Sequence, residues 1–272
     1  MVADVQGSFA TSAIPGTRFT DIRWVAETGS TNADLLEQAR SGAADGLVLV
    51  ADHQHSGRGR LDRSWVAPPG SSLLVSVLLR DQLDATTVFL LPAAVGVASV
   101  EACAEVAGVT AGLKWPNDLV ASAGEHADRK LSGVLAESLV SDGRIDAVVV
   151  GMGLNVNWPP VLPSELANSA TALNLLLGRP IDREQLLIEW LRRFDHWLTV
   201  LAGPSGPKVL LEALRVHSAT IGRAVRVEFS DHSVEGTATS IDDEGRVHVV
   251  PFDGSPELSV SVGDVVHLRP IL

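Results

Sequence analysis

Cysteine is nearly absent: Cys103 is the only one in 272 residues. That scarcity excludes an internal disulfide and any cysteine-rich zinc site, and it fits a reducing compartment. Cys103 sits in an apolar, helical run, which marks it as core filler rather than a nucleophile. Basic charge is also short, with 21 lysines and arginines against 33 acidic residues and a formal net charge of -12. A field of that sign repels nucleic-acid backbones and anionic membranes, while a small anion in a local basic pocket stays allowed. Long apolar runs are missing too. The longest, residues 88–100, contains Pro92 and Ser99 and is too short to span a bilayer. The first twenty residues lack the basic start and continuous apolar core of a signal peptide, so a soluble, cytoplasmic protein with no membrane partner is expected. No internal repeat or low-complexity segment occurs. What is present is core-forming bulk, with 46% hydrophobic residues.

The scarce basic residues are concentrated. GRGRLDRSW, residues 57–65, carries Arg58, Arg60 and Arg63 beside Gly57 and Gly59. Glycine lets the main chain approach a ligand closely, and arginine offers a rigid fork of donors suited to phosphate and carboxylate oxygens. Three neighbouring guanidinium groups repel one another, so the loop is expected to be mobile when empty and ordered around an anion. A solvated surface loop, or an arginine/glycine segment touching nucleic acid, would use the same residue types. The company the loop keeps along the chain decides between them.

A short strand over 22–26 leads to a helix over 32–40, with Thr31 as its cap and Gly42 as its stop. Capping uses one of Ser30, Thr31 and Asn32 and leaves a helix start able to hold a polar ligand group. An apolar strand over 46–52 ends on the arginine loop, where open sheets tend to place ligands. His53 and His55 have metal-ligand chemistry but no matching carboxylate or cysteine framework, so they read as loop residues. Gln54, facing the other way between them, is the better ligand candidate. A second strand spans 71–80 and a helix 86–107. Pro116 pushes Trp115 toward extended angles, so KWPND should put Asn117 and Asp118 at a strand rim. Residues 129–138 and 145–158 form a hairpin turning at Asp142-Gly143, and alternate Gly151 and Gly153 suggest a flat group packed on the backbone, or a bulge. Helices are expected over 164–177, from the Asp182 cap through Leu201, and over 208–217. Five short alternating strands then make a small barrel.

In this order, the GRGR, KWPND, KLSG and GMGLNVN segments resemble the biotin protein ligase family over about residues 23–270. The combination is specific where each segment alone is weak. The resemblance implies an α+β fold: a mixed, mainly antiparallel sheet packed with helices, as in class II synthetases, over 1–218, and an SH3-like β-barrel over 219–272. It also implies an enzyme that joins the biotin carboxylate to the α-phosphate of ATP, releases pyrophosphate, and passes biotin from biotinyl-5'-AMP to one lysine of a biotin carboxyl carrier protein. Lys130, Arg60 and Asp118 would be catalytic, and Asp118 would hold a magnesium ion. Ser30, Thr31, Asn32, Gln54, Gly57, Arg58, Arg60, Lys130 and Gly133 would bind biotin, with the main chain of 133–135 and 151–153 as a floor. Arg58, Arg60, Arg63, Trp65, Asn117, Asp118, Lys130 and Asn155 would bind ATP and the adenylate, Trp65 closing over it.

Two departures from the family pattern stand out. Leu61 and Asp62 replace the glycine and basic charge that usually follow GRGR, and the N-terminus is too short for the DNA-binding winged helix of some members, so no DNA binding is expected. A homodimer is allowed but not demanded. The rivals are a lipoate or octanoate ligase, disfavoured by the polar set of Ser30, Thr31, Asn32 and Gln54, and a non-catalytic nucleotide- or peptide-binding adaptor, which leaves Lys130 and Asp118 without a purpose.

Overall fold

Aliphatic runs fix where the strands lie. In the computed structural model, which describes residues 13–61, 63–80, 88–162, 165–229, 231–261 and 264–267, seven strands form one sheet. They are β1 (Asp21–Thr28), β2 (Leu47–Gln54), β3 (Ser72–Leu79), β4 (Ala111–Lys114), β5 (Asp118–Ala121), β6 (Lys130–Ser141) and β7 (Arg144–Asn155). Their order is β1-β2-β3-β7-β6-β5-β4, with β1 parallel to β2 and the other pairings antiparallel. Central β3, SLLVSVLL, is buried along its whole length, which explains why its apolar residues do not alternate with charged ones. The expected hairpin joins β6 to β7, and Asp142 and Gly143 both take positive φ, 50° and 74°, as a tight primed turn requires.

Alternate residues of the same strands serve two layers. On one face, Val48, Val50, Val75, Val77, Val148 and Val150 enter the main core. On the other, Leu35, Leu36 and Ala39 of α1 (Thr31–Arg40) pack on Leu47, Leu49, Leu78, Ala147 and Val149. The cap of α1 is Ser30, not Thr31: Ser30 is extended, with φ -160°, and its side chain accepts from Ala33 N, while the Thr31 hydroxyl turns to Gln54 and Ser76. The main core is closed by α2 (Leu91–Ala102), continued by a π-helical turn at Cys103–Ala107. Pro92 lies in the first turn of α2, where its missing N–H costs no helix bond, so helix begins beside it. Residues 81–87, which the expected helix partly included, lie outside those described.

The helix expected over 164–177 is reduced to α3 (Leu173–Leu177). Turns occupy 165–169, because the following backbone bonds to Lys130 instead of to a helix of its own: Lys130 N donates to Ser169 O at 2.8 Å and Thr171 N to Lys130 O at 2.9 Å. By contrast α4 (Arg183–Leu201) matches its pattern, capped by Asp182 Oδ1, which accepts from Glu184 N and Gln185 N, with Trp190 and Trp197 buried. α5 (Gly206–Val216) completes the helices. Among the described residues no helix is long and apolar enough to cross a membrane.

The five C-terminal strands are all present: β8 (Ala224–Glu228), β9 (Ser233–Ile241), β10 (Val247–Pro251), β11 (Leu258–Val260) and β12 (Asp264–His267), antiparallel in the order β11-β10-β9-β8-β12. Their small valine-rich core also receives Trp115 from the turn between β4 and β5. Trp115 Nε1 donates to Gly245 O at 3.0 Å, and Trp115 N donates to Thr220 Oγ1 at 3.0 Å.

Cys103 is fully buried in the main core, and burial pushes its thiol up to about 12. At pH 8 only about one thiol in 10⁴ would be ionised. Ellman's reagent is therefore expected to leave the folded protein unmodified and to count one thiol after denaturation; rapid reaction of the native protein would contradict this packing.

Candidate active site

Ser76 interrupts an aliphatic strand with a fully buried hydroxyl, and a buried hydroxyl needs partners. It donates to Asn32 Oδ1 at 2.6 Å and lies 2.7 Å from Thr31 Oγ1. Gln54 Oε1 accepts from Thr31 N at 2.8 Å and from the Thr31 hydroxyl at 3.0 Å. Asn32 Nδ2 donates to Glu137 Oε2 at 2.8 Å. A row of fixed donors and acceptors thus crosses the sheet from β2 to β6. Its approach to the backbone depends on Gly151, where a Cβ would stand 2.1 Å from Asn32 Oδ1.

The 57–65 loop doubles back as a short hairpin. Arg58 and Ser64 form an antiparallel bridge, Gly59 N donates to Arg63 O at 2.7 Å, and Trp65 N donates to Gly57 O at 2.9 Å. Leu61 takes a positive φ of 53° near the tip, and Asp62 lies outside the described residues. The Trp65 ring rests on Gly133 and Gly153, which are register partners in β6 and β7. A Cβ on Gly153 would lie 2.4 Å from Trp65 Cε2, so Trp65 is itself the flat group that the alternate glycines admit. Its Nε1 is buried without a hydrogen-bond partner, and Lys130 Nζ lies 5.5 Å from the ring centroid, within cation–π range.

The rim is held from both sides. β4 and β5 pair through Lys114 and Asp118, leaving Trp115-Pro116-Asn117 as the turn, and the barrel anchors its tryptophan. Asn117 Nδ2 donates to Val134 O at 2.7 Å, while its Oδ1 accepts from Arg60 Nη1 at 3.0 Å. Asp118 Oδ1 lies 2.7 Å from Lys130 Nζ, and Arg58 Nη2 lies 3.0 Å from Glu137 Oε2. Four cations, Arg58, Arg60, Arg63 and Lys130, therefore line a cavity of about 150 Å³ in a chain of net charge -12.

Twelve of the sequence-predicted residues line that cavity: Ser30, Thr31, Asn32, Gln54, Arg58, Arg60, Arg63, Trp65, Asn117, Asp118, Lys130 and Gly133. Gly57 and Asn155 do not. Gly57 is buried against Trp65, whose carbonyl oxygen would be 2.5 Å from an added Cβ. Asn155 is buried behind the site, where its Nδ2 donates to Thr171 O at 2.9 Å and to Lys130 O at 3.4 Å, bracing the Lys130 main chain. Sequence reasoning missed Ser76 and Glu137. Ser76 had a signal, a lone hydroxyl inside SLLVSVLL, whereas nothing local to Glu137 tells that it meets Asn32 and Arg58. His53 and His55 face away from Gln54's partners, and the carboxylate expected to be lacking is supplied by Glu27 of β1, the register partner of His53. A second cavity of about 640 Å³ shares Arg60, Asn117, Val134 and Leu135 with the first and extends to Trp115, Leu211 and Gly245.

Residues 24–155 match the Biotin/lipoate A/B protein ligase family, and residues 220–268 match the Biotin protein ligase C terminal domain. The Biotin--[acetyl-CoA-carboxylase] ligase of Mycobacterium tuberculosis is 38% identical over 260 residues, covering 93% of this chain and 91% of that one. The Bifunctional ligase/repressor BirA of Bacillus subtilis is 32% identical over 221 residues, covering 79% of this chain and 65% of that longer relative. Among solved structures, the biotin protein ligase from Aquifex aeolicus in complex with biotin and ATP aligns with a TM-score of 0.77 at 27% identity, covering 93% of this chain and 100% of that one. A likeness that takes in the sheet, the site-bearing loops and the C-terminal strands together leaves one assignment: the chain belongs to the biotin protein ligase family.

Proposed function

We propose that the chain is an ATP-dependent biotin protein ligase that forms biotinyl-5'-AMP with release of pyrophosphate and then transfers biotin to a lysine of a biotin carboxyl carrier protein. The observation that carries this reading is the single cavity in which a neutral polar row meets a cationic loop and the Lys130–Asp118 rim. A carboxylate attacking an anionic α-phosphate needs its charge and that of the leaving pyrophosphate neutralised together. Lys130 serves the carboxylate and α-phosphate by leaving Asp118 for them. Arg60 exchanges Asn117 for phosphate oxygens in the same way, with Arg58 and Arg63 adding charge.

The row of buried Ser30, Thr31 and Asn32 with half-buried Gln54 answers the ureido ring of biotin, whose N–H groups and carbonyl need partners once water is excluded. Asn117, standing in both cavities, offers its amide to adenine, so that the nucleotide extends toward Trp115 and the C-terminal strands. Asp118 fits a magnesium ion, which needs only one or two protein carboxylates beside phosphate oxygens. Bound there, the ion would neutralise phosphate charge. Trp65, seated between the polar row and the rim, limits the access of water to the mixed anhydride. In the second step the carrier amine attacks the acyl carbon, AMP leaves, and Asp118 is the carboxylate placed to take the proton. On this reading residues 1–218 form the catalytic domain and 219–272 the barrel, and the net charge of -12 argues against DNA as a partner.

The deciding experiment is magnesium-dependent exchange of labelled pyrophosphate into ATP, with biotin, lipoate and octanoate in parallel. Exchange with biotin alone is expected; exchange with lipoate or octanoate instead would overturn the substrate, and silence with all three would overturn the enzyme. Lys130→Ala should slow biotin-dependent exchange by at least about 100-fold with an unchanged circular-dichroism spectrum. Full activity in that variant would remove Lys130 from the chemistry. Gly151→Ala, whose new Cβ displaces the Asn32 amide, should weaken biotin binding by about tenfold or more in calorimetry. Unaltered affinity would mean that Asn32 does not face the ring.

A further inference from the structure

The end of the β1–β2 pair carries three ligand-type side chains that the ligation chemistry leaves unused. His53 lies on β2 and His55 directly follows the strand's last residue, Gln54, still bonded to β1 through Thr28 O; the two imidazoles meet on one side while Gln54 between them turns to Thr31. Glu27 stands beside His53 in register on β1. The two imidazole centroids are 4.6 Å apart at 86°, and His55 Nε2 is 3.2 Å from Glu27 Oε2. One ligand atom from each of the three lies within 4.8 Å of the others, and among the described residues no other group of three His, Cys, Asp or Glu side chains converges in this way.

We propose that Glu27, His53 and His55 form a binding site for a zinc-class divalent cation, with water completing the coordination. Two imidazole nitrogens and one carboxylate oxygen are the donors that zinc and its neighbours in the first transition row favour, whereas magnesium prefers oxygen alone. The site is thereby chemically distinct from Asp118. With metal–ligand bonds of about 2.0–2.1 Å, ligand atoms around a tetrahedral ion sit about 3.3–3.4 Å apart. The group must contract by little more than an ångström, which rotation of exposed or half-exposed side chains supplies. Strand register has already fixed the backbones. Exposure also leaves the ion an open path in.

The position gives the ion a structural consequence. His55 N donates to Thr28 O and Ser56 N to Gly29 O, both at 2.9 Å, so the two strands remain laced until one runs into Ser30–Asn32 and the other into the arginine loop. An ion bridging them clamps the root of both segments. The site does not rest on the ligase assignment, and its test is independent of ligase activity.

Untagged full-length protein should be titrated with zinc chloride under excess magnesium, using calorimetry, and with cobalt(II), using visible absorption. One zinc per chain and a tetrahedral cobalt spectrum are expected, with affinity at least about tenfold lower in His53→Ala and in His55→Ala. Hydrogen exchange across 56–65 should slow on addition of zinc to the wild type and stay unchanged in the double variant. Both variants should keep the circular-dichroism spectrum and the thermal unfolding midpoint of the metal-free wild type, which reports that they are folded. Zinc binding that survives in the double variant, or that magnesium displaces, would overturn the proposal.

Discussion

The structure depends on how closely side chains can approach the backbone of β7. Ala147 and Val149 meet α1 in the ordinary way, and then the same face of the same strand continues with Gly151 and Gly153. Removing two side chains opens the sheet surface itself. Asn32 descends on the first glycine and Trp65 on the second. Without that gap the polar row would lose its contact with Ser76, and the arginine loop would have nowhere to seat its indole. Packing and chemistry here are consecutive segments of one strand, separated by the absence of Cβ atoms.

Electrostatics then explains how an acidic protein keeps a cationic pocket folded. Arg58 is matched with Glu137, Arg60 with the Asn117 oxygen, and Lys130 with Asp118. Each pair is only partly buried, so solvent weakens it and its partner can be exchanged for phosphate or carboxylate at modest cost. Deeply buried pairs would resist such exchange. The pocket is thus prepared for anions without holding bare cations together, its charges already oriented by the fold.

Much of this was legible in the amino-acid order, and the limits have physical causes. β3 and the β6–β7 hairpin follow from apolar runs and an Asp-Gly turn, and α4 from its cap and face, because local rules set them. Ser30 took the cap from Thr31 because tertiary partners, Gln54 and Ser76, claimed the threonine hydroxyl. The helix over 164–177 failed for a similar reason: the Lys130 main chain supplied hydrogen bonds that compete with helical ones. Twelve residues that line the cavity could be named from motif resemblance, yet their mutual geometry could not. Glu137 and the Glu27–His53 pairing are products of strand register, which no single segment encodes.

Trp115 ties these parts together in a way that bears on inheritance. Its backbone belongs to the rim that presents Asn117 and Asp118, while its indole completes the core of the five C-terminal strands and hydrogen-bonds to Gly245. A barrel from another source, grafted onto this sheet, would need a hole of the right shape and a carbonyl at the right depth. Otherwise the rim would shift with it. The two modules are therefore constrained to diverge in step, like the halves of a lock whose pin belongs to one and whose socket belongs to the other.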